Sequence, residues 1–415
     1  MKIKIRKKYL FYVLAFTSAI IAALVSGIDA VAQIHIPDPW ALGVSCFFLG
    51  VIVSFIFSII LSIPYKGKSL GARSIDPTFR RIRLLKKEEL IYHLFAGLGN
   101  AILTIGYFML LYIMGGDVSV VLPFSQVVIL YLVIIESLSE KDTPTLVEVQ
   151  SSLIVTFGAI LGSISLTGNI DIFALGIVFL VINPGWVLLS VFQRKLKMMR
   201  INDRPNDAIN IRLWNVIFAC LFSIIIVFAF DLFTGTSHLI NGIQASLNSY
   251  FWVGLMAIGT FFNFVFYIRA LGIGKASVTQ AVRSSIIVFS IPVTILLGYF
   301  GIIDSFSTDP VMLLIKFIGI IIMMLGIISF ALTLTKSYIF ITMKTGYPIE
   351  ETMKKLWTIK GVNRVTAVTG KYDFIIKVRT RTLVKGYERI LRKVQDIPGI
   401  KEYRWQSVLK EWEDI

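Results

Sequence analysis

The chain has 415 residues, of which 56% are hydrophobic and only 16% charged, and its mean hydropathy of +0.79 excludes an ordinary soluble globular protein. The formal net charge of +16 would suggest nucleic acid in a soluble chain, but here the basic residues lie in short loops beside apolar runs and in the C-terminal tail, where an anionic inner leaflet attracts them. The composition therefore predicts a multi-pass protein of the cell or inner membrane that does not bind nucleic acid.

Ten apolar runs have about the 20 residues that a helix needs to cross a hydrocarbon core. They begin near Tyr9, Trp40, Leu90, Val118, Leu146, Ile172, Leu213, Tyr250, Ala276 and Val311. Lys and Arg cluster at residues 1–8, 66–87 and 194–212, while the loops at residues 29–39, 234–249 and 301–310 contain neither. By the positive-inside rule, both termini are expected in the cytosol, and ten crossings that start inside also end inside.

The first run follows a basic start and precedes "AVAQ" at residues 30–33, so it imitates a signal peptide with its cleavage site. Its length of about 20 residues exceeds the 7 to 15 residues of a signal h-region, which favours a retained helix. Retention and cleavage both stay open at this point.

A weak internal repeat relates the two halves of the membrane part. Alignment of Ser119 with Ser277 sets "LLYIMGGDVSVVLPF" beside "RALGIGKASVTQAV", and "ILGSISL" at residues 160–166 resembles "MLGIISF" at residues 324–330. Halves of five helices would insert in opposite orientations, an arrangement that many transporters use to build a site at the membrane midplane. The alternative is that two hairpins rich in small residues look alike because such residues pack membrane helices.

Three further features accompany the ten runs. They are "ASVTQAV" after "YIRALGIGK", Trp186 followed by Arg194 and Lys195, and Glu136 before "LVEVQSSLIVTFGAILG". With them, residues 9–335 resemble the EamA-type drug/metabolite transporter superfamily. The resemblance implies an all-α fold of two inverted five-helix repeats around a central cavity, and export of amino acids or other small metabolites. The first run departs from the family, because it lacks the expected pattern of small residues and tryptophan, which leaves the substrate-facing surface of the first repeat open.

Polar residues inside the runs are the candidate substrate contacts, because ionisable groups at membrane depth are usually functional. Arg283 follows Ala276 by seven residues, about 10 Å into the ninth run. A guanidinium among amides and hydroxyls can hold a carboxylate bidentately, which suits an amino acid or organic acid. The alternative is that Arg283 extends to the cytosolic surface while its polar neighbours join helices. The candidates are Arg283, Gln280, Asn263, Tyr267, Asn183, Trp186, Gln126, Tyr107 and Asn100.

Proline in the sixth run predicts a break there. The sequence "NPGW" at residues 183–186 removes one backbone hydrogen bond and loosens the turn. Freed carbonyl groups at membrane depth are tolerated where they line a cavity.

The runs contain almost no deep carboxylate, because Glu136 and Asp231 lie at run ends and Asp29 falls in the first predicted loop. Coupling to protons is therefore not supported, and facilitated or exchange movement is the simpler expectation. Catalytic motifs and metal-ligand spacings are not found, and Cys46 and Cys220 lie inside apolar runs. No enzymatic activity, cofactor or metal site is predicted.

Beyond Lys336 the long apolar runs give way to short ones. "SYIFITMK", "GVNRVTAV", "YDFIIKV" and "GIKEYRWQSVL" read as strands, whereas "PIEETMKKLWTI" and "TLVKGYERILRKVQDI" have helical spacing. The order βαββαβ predicts an α+β ferredoxin-like domain with both helices on one sheet face. The other face needs cover, which favours pairing with a second copy.

The segment between the middle strands carries a further motif. It consists of Val362, Val365, Val368, Gly370, Tyr372 and Asp373. With it, residues 337–410 resemble the effector-binding domain of the Lrp/AsnC regulators. The resemblance implies sheet-to-sheet homodimerisation and amino-acid binding at the subunit interface, with Thr369, Gly370, Tyr372 and Asp373 as effector-binding residues. The alternative is that Thr369 and Gly370 simply make a tight turn that Asp373 caps.

Two departures from that family change the expectation. Tyr403 and Trp405 stand where its closing strand usually carries threonines, so the pocket is expected to be altered or used only for dimerisation. The helix-turn-helix that normally precedes the domain is replaced by membrane runs, and direct DNA binding is not expected.

These patterns predict a membrane transporter, an exporter or exchanger of amino acids or related metabolites. Its parts are two five-helix repeats, residues 1–168 and 169–335, and a cytosolic sensing and dimerisation domain, residues 336–415. The expected partners are a small-molecule substrate, the lipid bilayer and a second copy of the chain. The rival is a membrane-tethered amino-acid sensor or scaffold without transport. Only the transporter requires a water-accessible cavity around Arg283.

Overall fold

The computed structural model describes residues 7–116, 121–122, 125–140, 146–163, 172–201, 204–302, 310–332, 334–359, 361–381 and 386–407. It has a helical part that extends to Leu332 and a small sheet domain that begins at Leu334. Val118 and Ser119, used above for the start of the fourth run and for the repeat alignment, lie outside the described residues, as do residues 164–166 of the second matched stretch.

The helices of the first part follow the apolar runs. In chain order they are α1 (Lys7–His35), α2 (Pro39–Ser62), α3 (Leu70–Ser74), α4 (Lys87–Ile113), α5 (Val128–Glu140), α6 (Leu146–Ser163), α7 (Ile172–Ile177), α8 (Asn183–Met198), α9 (Ala208–Thr234), α10 (His238–Asn248), α11 (Tyr250–Leu271), α12 (Ala276–Arg283), α13 (Ile286–Tyr299) and α14 (Pro310–Leu332). Short antiparallel pairs follow α2 and α8, formed by β1 (Pro64–Tyr65) with β2 (Lys68–Ser69) and by β3 (Arg200–Ile201) with β4 (Arg204–Pro205).

Within the described residues, six segments are long and apolar enough to cross a membrane, so the chain is a membrane protein. They are Leu10–His35, Pro39–Ser62, Lys87–Ile113, Ala208–Thr234, Tyr250–Leu271 and Ala276–Tyr299, the last of which joins α12 and α13. They coincide with six of the predicted runs. The other four runs contain α5, α6, α7 with α8, and α14, and for them the crossing stays a prediction.

The sixth run is widened, not broken, at its proline. A π-helical turn, Val178–Ile182, joins α7 to α8, and the Asn183 amide donates to the Val178 carbonyl five residues back. The side-chain amide of Asn183 donates to the same carbonyl at 2.9 Å. Hydrogen bonding therefore continues past Pro184, and the predicted break is a local change of helical pitch, a feature that is frequent at functional sites.

Glycine permits close approach between two pairs of helices. A Cβ atom at Gly185 of α8 would lie 2.9 Å from the carbonyl oxygen of Gly99 and 2.9 Å from the amide nitrogen of Leu103, both on α4. A Cβ atom at Gly158 of α6 would lie 2.5 Å from the amide nitrogen of Met323 on α14. Only glycine allows the backbones to come this close.

The loops on the predicted cytosolic side are joined by a buried ion pair. Lys197 Nζ lies 2.8 Å from Asp76 Oδ2, and the same oxygen accepts a hydrogen bond from the Ala208 amide at the start of α9. Burial raises the pKa of Asp76, but the Lys197 charge and the hydrogen bonds outweigh burial and lower the pKa to about 2. The carboxylate thus fixes the start of α9 to the loop after α3.

A second ion pair lies beside the first. Arg83 binds Glu89 through both terminal nitrogens at 2.6 Å, and Asn206 bonds to each of them, at 2.8 Å to Arg83 and 2.7 Å to Glu89. Asp207 caps α9 by accepting from the Asn210 amide at 2.8 Å, and burial raises the pKa of this carboxyl. The start of α4 and the start of α9 are held together by these contacts.

The C-terminal domain contains β5 (Leu334–Met343), α15 (Ile349–Trp357), β6 (Val362–Ala367), β7 (Phe374–Arg381), α16 (Gly386–Gln395) and β8 (Ile400–Ser407). The strands pair antiparallel in the order β6-β7-β5-β8, and the predicted βαββαβ succession of elements is observed. Alternate residues of β5 and β7 pack with both helices in one core, formed mainly by Ile339, Ile341, Leu356, Phe374, Ile376, Val378, Ile390 and Val394.

The opposite face of the sheet is only half-buried. Phe340 lies opposite Ile375, and Tyr338 lies opposite Lys377, in the pairing of β5 with β7. Apolar and aromatic side chains therefore occupy the centre of this outer sheet face. A single residue, 333, separates α14 from β5.

Candidate functional site

A cavity of about 120 Å³ lies among the membrane helices. Since a cavity needs roughly 10 to 15 Å³ to hold one water, this cavity has room for several waters or for a small molecule. Six of the predicted substrate contacts line it: Asn100, Tyr107, Gln126, Trp186, Asn263 and Arg283. They come from both halves of the helical part, so residues far apart in sequence share one site.

Arg283 is a buried cationic group of this cavity, and its orientation is fixed by contacts with neighbouring side chains. The side chain is only 4% exposed, and its guanidinium carbon lies 4.9 Å from the ring centre of Trp186 and 5.3 Å from that of Tyr267. Nε donates to Ser18 Oγ at 3.3 Å, and the Ser18 hydroxyl donates to Asn263 Oδ1 at 2.7 Å. Aromatic faces and one hydrogen bond orient the guanidinium. The alternative that Arg283 extends to the cytosolic surface is therefore wrong.

The other three predicted residues lie outside the lining. Gln280 donates to Gln126 Oε1 at 3.1 Å, and the Tyr267 hydroxyl bonds to that of Ser190 at 2.7 Å. Asn183 bonds within the π-helical turn. Gln280 and Tyr267 thus contact residues that line the cavity, whereas Asn183 shapes the helix that carries Trp186.

Two buried ionisable residues of the cavity, Asp29 and Arg212, are not among the predicted contacts. Asp29 is 6% exposed and Arg212 is 3% exposed. The predicted runs leave both residues in loops, because charged residues mark the ends of apolar runs. In the structure α1 continues to His35 and α9 begins at Ala208, so both side chains belong to membrane helices. Asp29 is therefore a buried carboxyl group within the segment Leu10–His35, where the sequence predicted almost none.

Two guanidinium groups and two aromatic rings form a chain of contacts along the cavity. Arg212 lies 4.6 Å from the ring centre of Phe264, the Phe264 and Trp186 rings stack at 6.2 Å, and Arg283 lies over Trp186. Within the described part of the chain, Arg212 Nε and Nη1 are buried and have no hydrogen-bond partner. Because buried donors are nearly always paired, these two are suited to bind a polar group in the cavity.

Asp29 lies near Ser26 and Tyr107, which also line the cavity. Its Oδ1 atom is buried and accepts no hydrogen bond from the residues that the structure describes. Asn100, another lining residue, donates to Asn215 Oδ1 at 3.0 Å. The cavity thus combines two cations, one carboxylate and several neutral polar groups.

Glu136 positions the helix that carries Arg283. Its carboxylate accepts hydrogen bonds from the Ala276 amide at 2.7 Å and from the Ser277 amide at 3.1 Å, at the start of α12. Arg194 Nη1 lies 3.2 Å from the same carboxylate. A buried carboxylate is favourable at a helix N-terminus, because the free amides and the helix dipole are positive there. The short helix α12 is thereby anchored to the end of α5.

The predicted effector loop lies between β6 and β7 of the sheet domain. Thr369 and Gly370 are exposed, and Gly370 has φ 128°, a conformation that favours glycine. Asp373 Oδ2 accepts a hydrogen bond from the Met343 amide at 2.6 Å, and Tyr372 packs on the outer sheet face. The Asp373 carboxylate therefore joins the loop to the end of β5.

Comparison with known proteins identifies the second part of the chain. Residues 336–414 match the family model of the Lrp/AsnC ligand binding domain, so the resemblance predicted for this part is confirmed. No curated protein matches the chain. One solved structure, described only as the crystal structure of a protein, has 12% sequence identity and a TM-score of 0.45, and the match covers 76% of this chain and 95% of the other. A likeness of that size supports no conclusion about fold or function.

Proposed function

We propose that the chain is a membrane transporter, an exporter or exchanger of amino acids or related small metabolites, regulated by its Lrp/AsnC ligand-binding domain. The observation that carries the proposal is the cavity, in which Arg283 is buried among helices long enough to cross a membrane. Burying a guanidinium costs several kcal/mol, and such residues in membrane helices usually mark a substrate or ion path. The proposal assigns no enzymatic activity and no cofactor.

The proposed architecture has ten crossings in two inverted five-helix repeats, residues 1–168 and 169–335, of the EamA type. Helix packing supports it. Helix α1 packs along α11, and α8 and α4, their counterparts under the repeat, also pack along each other. The last helices of the two halves, α6 and α14, pack together, and a two-fold relation between the halves would map this contact onto itself. This architecture places the cavity where the repeats meet and both termini on the cytosolic side.

The proposed regulation acts through the sheet domain, which we infer to be ferredoxin-like, cytosolic and dimeric. The strand order β6-β7-β5-β8 and the apolar centre of the outer sheet face support pairing of two sheets. An amino acid bound at this interface would change transport only if it prefers the domain arrangement of one transport state. Coupling of that kind is typically about 1 to 3 kcal/mol.

Counterflow in proteoliposomes tests the transport activity. Vesicles that contain the purified protein are loaded with one unlabelled amino acid, and uptake of the labelled form is followed for each amino acid in turn. We expect a subset to exchange, and Arg283→Ala to abolish the exchange. The control is Arg73→Ala, because Arg73 is also stacked on an aromatic ring, at 5.2 Å from Tyr65, but is exposed on the short helix α3 outside the cavity. Absence of exchange by the folded protein for amino acids and organic acids alike would overturn the proposal in favour of a sensor without transport.

The regulatory step has its own test. Initial exchange rates are compared for the full chain, for a chain that ends at Leu332 and for the full-length variant Asp373→Ala. We expect both changes to alter the rate or its response to added amino acids. Asp396→Ala, at an exposed acidic residue of the same domain, serves as the control. Unchanged rates in both altered proteins would refute regulation and leave the transport proposal standing.

A further inference from the structure

The charges of the cavity restrict the substrate that a transporter of this kind could carry, and the inference that follows rests on the transport function proposed above. Arg212 and Arg283 supply two guanidinium groups, and Asp29 supplies one carboxylate. All three side chains are at least nine-tenths buried. In the low dielectric of a membrane interior, an uncompensated charge is costly, so the bound substrate is expected to balance what the cavity presents.

Arg212 and Asp29 have atoms available for that balance. Of the residues that the structure describes, none forms a hydrogen bond with Arg212 Nε or Nη1, or with Asp29 Oδ1. Nε and Nη1 of Arg212 lie on different edges of the guanidinium, and each can donate one charge-assisted hydrogen bond to a carboxylate oxygen, whereas the unpaired oxygen of Asp29 matches an ammonium group. Arg283 adds a second guanidinium, held over Trp186 and Tyr267.

We propose that the substrate is an acidic amino acid, such as aspartate or glutamate, with one carboxylate on Arg283, the other on Arg212 and the ammonium group on Asp29. Such a molecule carries two negative charges and one positive charge, the complement of the cavity. A neutral amino acid would leave one guanidinium without a counter-charge. A dicarboxylate without an amine would leave Asp29 Oδ1 without a hydrogen-bond donor.

The size of the cavity agrees with this class. Its volume of about 120 Å³ is several times what one water needs, so the cavity can hold a small molecule of the size of aspartate or glutamate. The aromatic rings of Phe264 and Trp186, which lie between the two guanidinium groups, offer apolar contact to the methylene groups of the substrate.

The first experiment compares four substrates in counterflow with the full-length protein. L-Aspartate and L-glutamate carry all three groups, succinate lacks the amine, and L-alanine lacks the second carboxylate. We expect the acidic amino acids to exchange about tenfold or more faster than succinate and alanine, a difference of about 1.4 kcal/mol per tenfold. Exchange of alanine or succinate at the rate of glutamate would overturn the inference while the transport function stands.

Variants then assign the groups. Arg212→Gln is expected to lower glutamate exchange about tenfold or more relative to alanine exchange, and Asp29→Asn to raise succinate exchange relative to aspartate exchange. Arg73→Gln is the matched control and should leave all ratios unchanged. If Arg212→Gln does not fold, Arg212→Lys, which keeps the charge but replaces the planar guanidinium and its Nε and Nη1 donors by one ammonium group, takes its place. Unchanged substrate ratios in the variants would overturn the assignment.

A binding measurement separates this inference from the transport function. Thermal unfolding of the purified protein in detergent is followed with L-glutamate, succinate or L-alanine, because a ligand that binds the folded state raises the midpoint. Stabilisation by glutamate alone that is lost in Arg212→Gln supports the binding site. If the same protein shows no flux, the transport proposal fails and the inference about the binding site stands. No stabilisation by glutamate at any concentration would overturn the inference.

Discussion

The carboxylate of Glu136 accepts hydrogen bonds from both the backbone amide and the hydroxyl of Ser277, a residue 141 positions further along the chain. This contact joins the end of α5 to the start of α12, the helix that ends at Arg283. The position of the principal cation in the cavity therefore depends on a carboxylate in the other half of the helical part.

Replacing Glu136 by Ala should destabilise the protein by about 3 kcal/mol, because the start of α12 loses its acceptor and the buried Arg194 loses its carboxylate. Thermal unfolding in detergent measures the change. The control is Glu351→Ala, which breaks an exposed pair with Lys355 on one turn of α15 and should leave the midpoint unchanged. A Glu136→Ala protein as stable as the wild type would contradict the anchoring role.

The Asp76 carboxylate predicts a loss of stability in acid. Its pKa is about 2 in the folded protein against an ordinary value of 3.8, so folding favours the ionised form. The stabilisation is fully present above the ordinary pKa and is lost as the pH falls through the folded value, an effect of about 2 kcal/mol. Unfolding midpoints measured between pH 5 and pH 2 should fall more steeply for the wild type than for Asp76→Asn. Parallel curves would contradict the prediction.

Gly185→Ala should separate α8 from α4. The added Cβ would lie 2.9 Å from two backbone atoms of α4, which cannot move as a flexible side chain can, and we expect a loss of about 2 kcal/mol together with lower exchange activity. Gly254→Ala in α11 is the matched control, because nothing lies within 4 Å of its added Cβ. That variant should be as stable as the wild type or more stable, by up to about 1 kcal/mol. Equal stability of the two variants would be inconsistent with tight α4–α8 packing.

Phe340→Glu should prevent pairing of the sheet domains. Phe340 lies opposite Ile375 at the apolar centre of the outer sheet face, and a carboxylate there would be buried without a partner between two sheets. Light scattering of the full-length protein in detergent should give two protomers for the wild type and one for the variant. Glu350→Lys, at an exposed position of α15, should remain dimeric. A dimer that survives Phe340→Glu would place the interface elsewhere.

The sequence predicted those cavity residues that interrupt apolar runs. Arg283, Asn263 and Trp186 stand out because polar, charged or proline-adjacent residues are rare at membrane depth. Six of the nine candidates that this criterion identifies line the cavity. Tyr267 and Gln280 are also polar residues inside apolar runs. The sequence cannot distinguish a polar residue that lines the cavity from one that only contacts a lining residue.

The sequence does not predict Asp29 and Arg212 as cavity residues, because charged residues mark the ends of apolar runs. Helical periodicity could have identified Asp29 as a residue of the first membrane helix. Ser18, Ser26 and Asp29 are spaced by 8 and 3 residues and share one face of α1. No comparable signal marks Arg212, which follows a basic loop directly. The capping of α12 by Glu136 joins residues from distant runs, and no local pattern contains that information.

The join between α14 and β5 limits how the two parts of the chain can move. Leu332 and Leu334 are separated by one residue, a tether of about 8 Å at most. β5 is an inner strand with a neighbouring strand on each side. A shift of α14 along its axis would therefore displace an inner strand of the sheet and not an edge strand. Such a short connection also holds the sheet domain of each chain close to the membrane plane. Two sheet domains confined to that plane have a high local concentration, which favours their association. In two paired chains, the tilt of α14 in one chain would then constrain the tilt of α14 in the other.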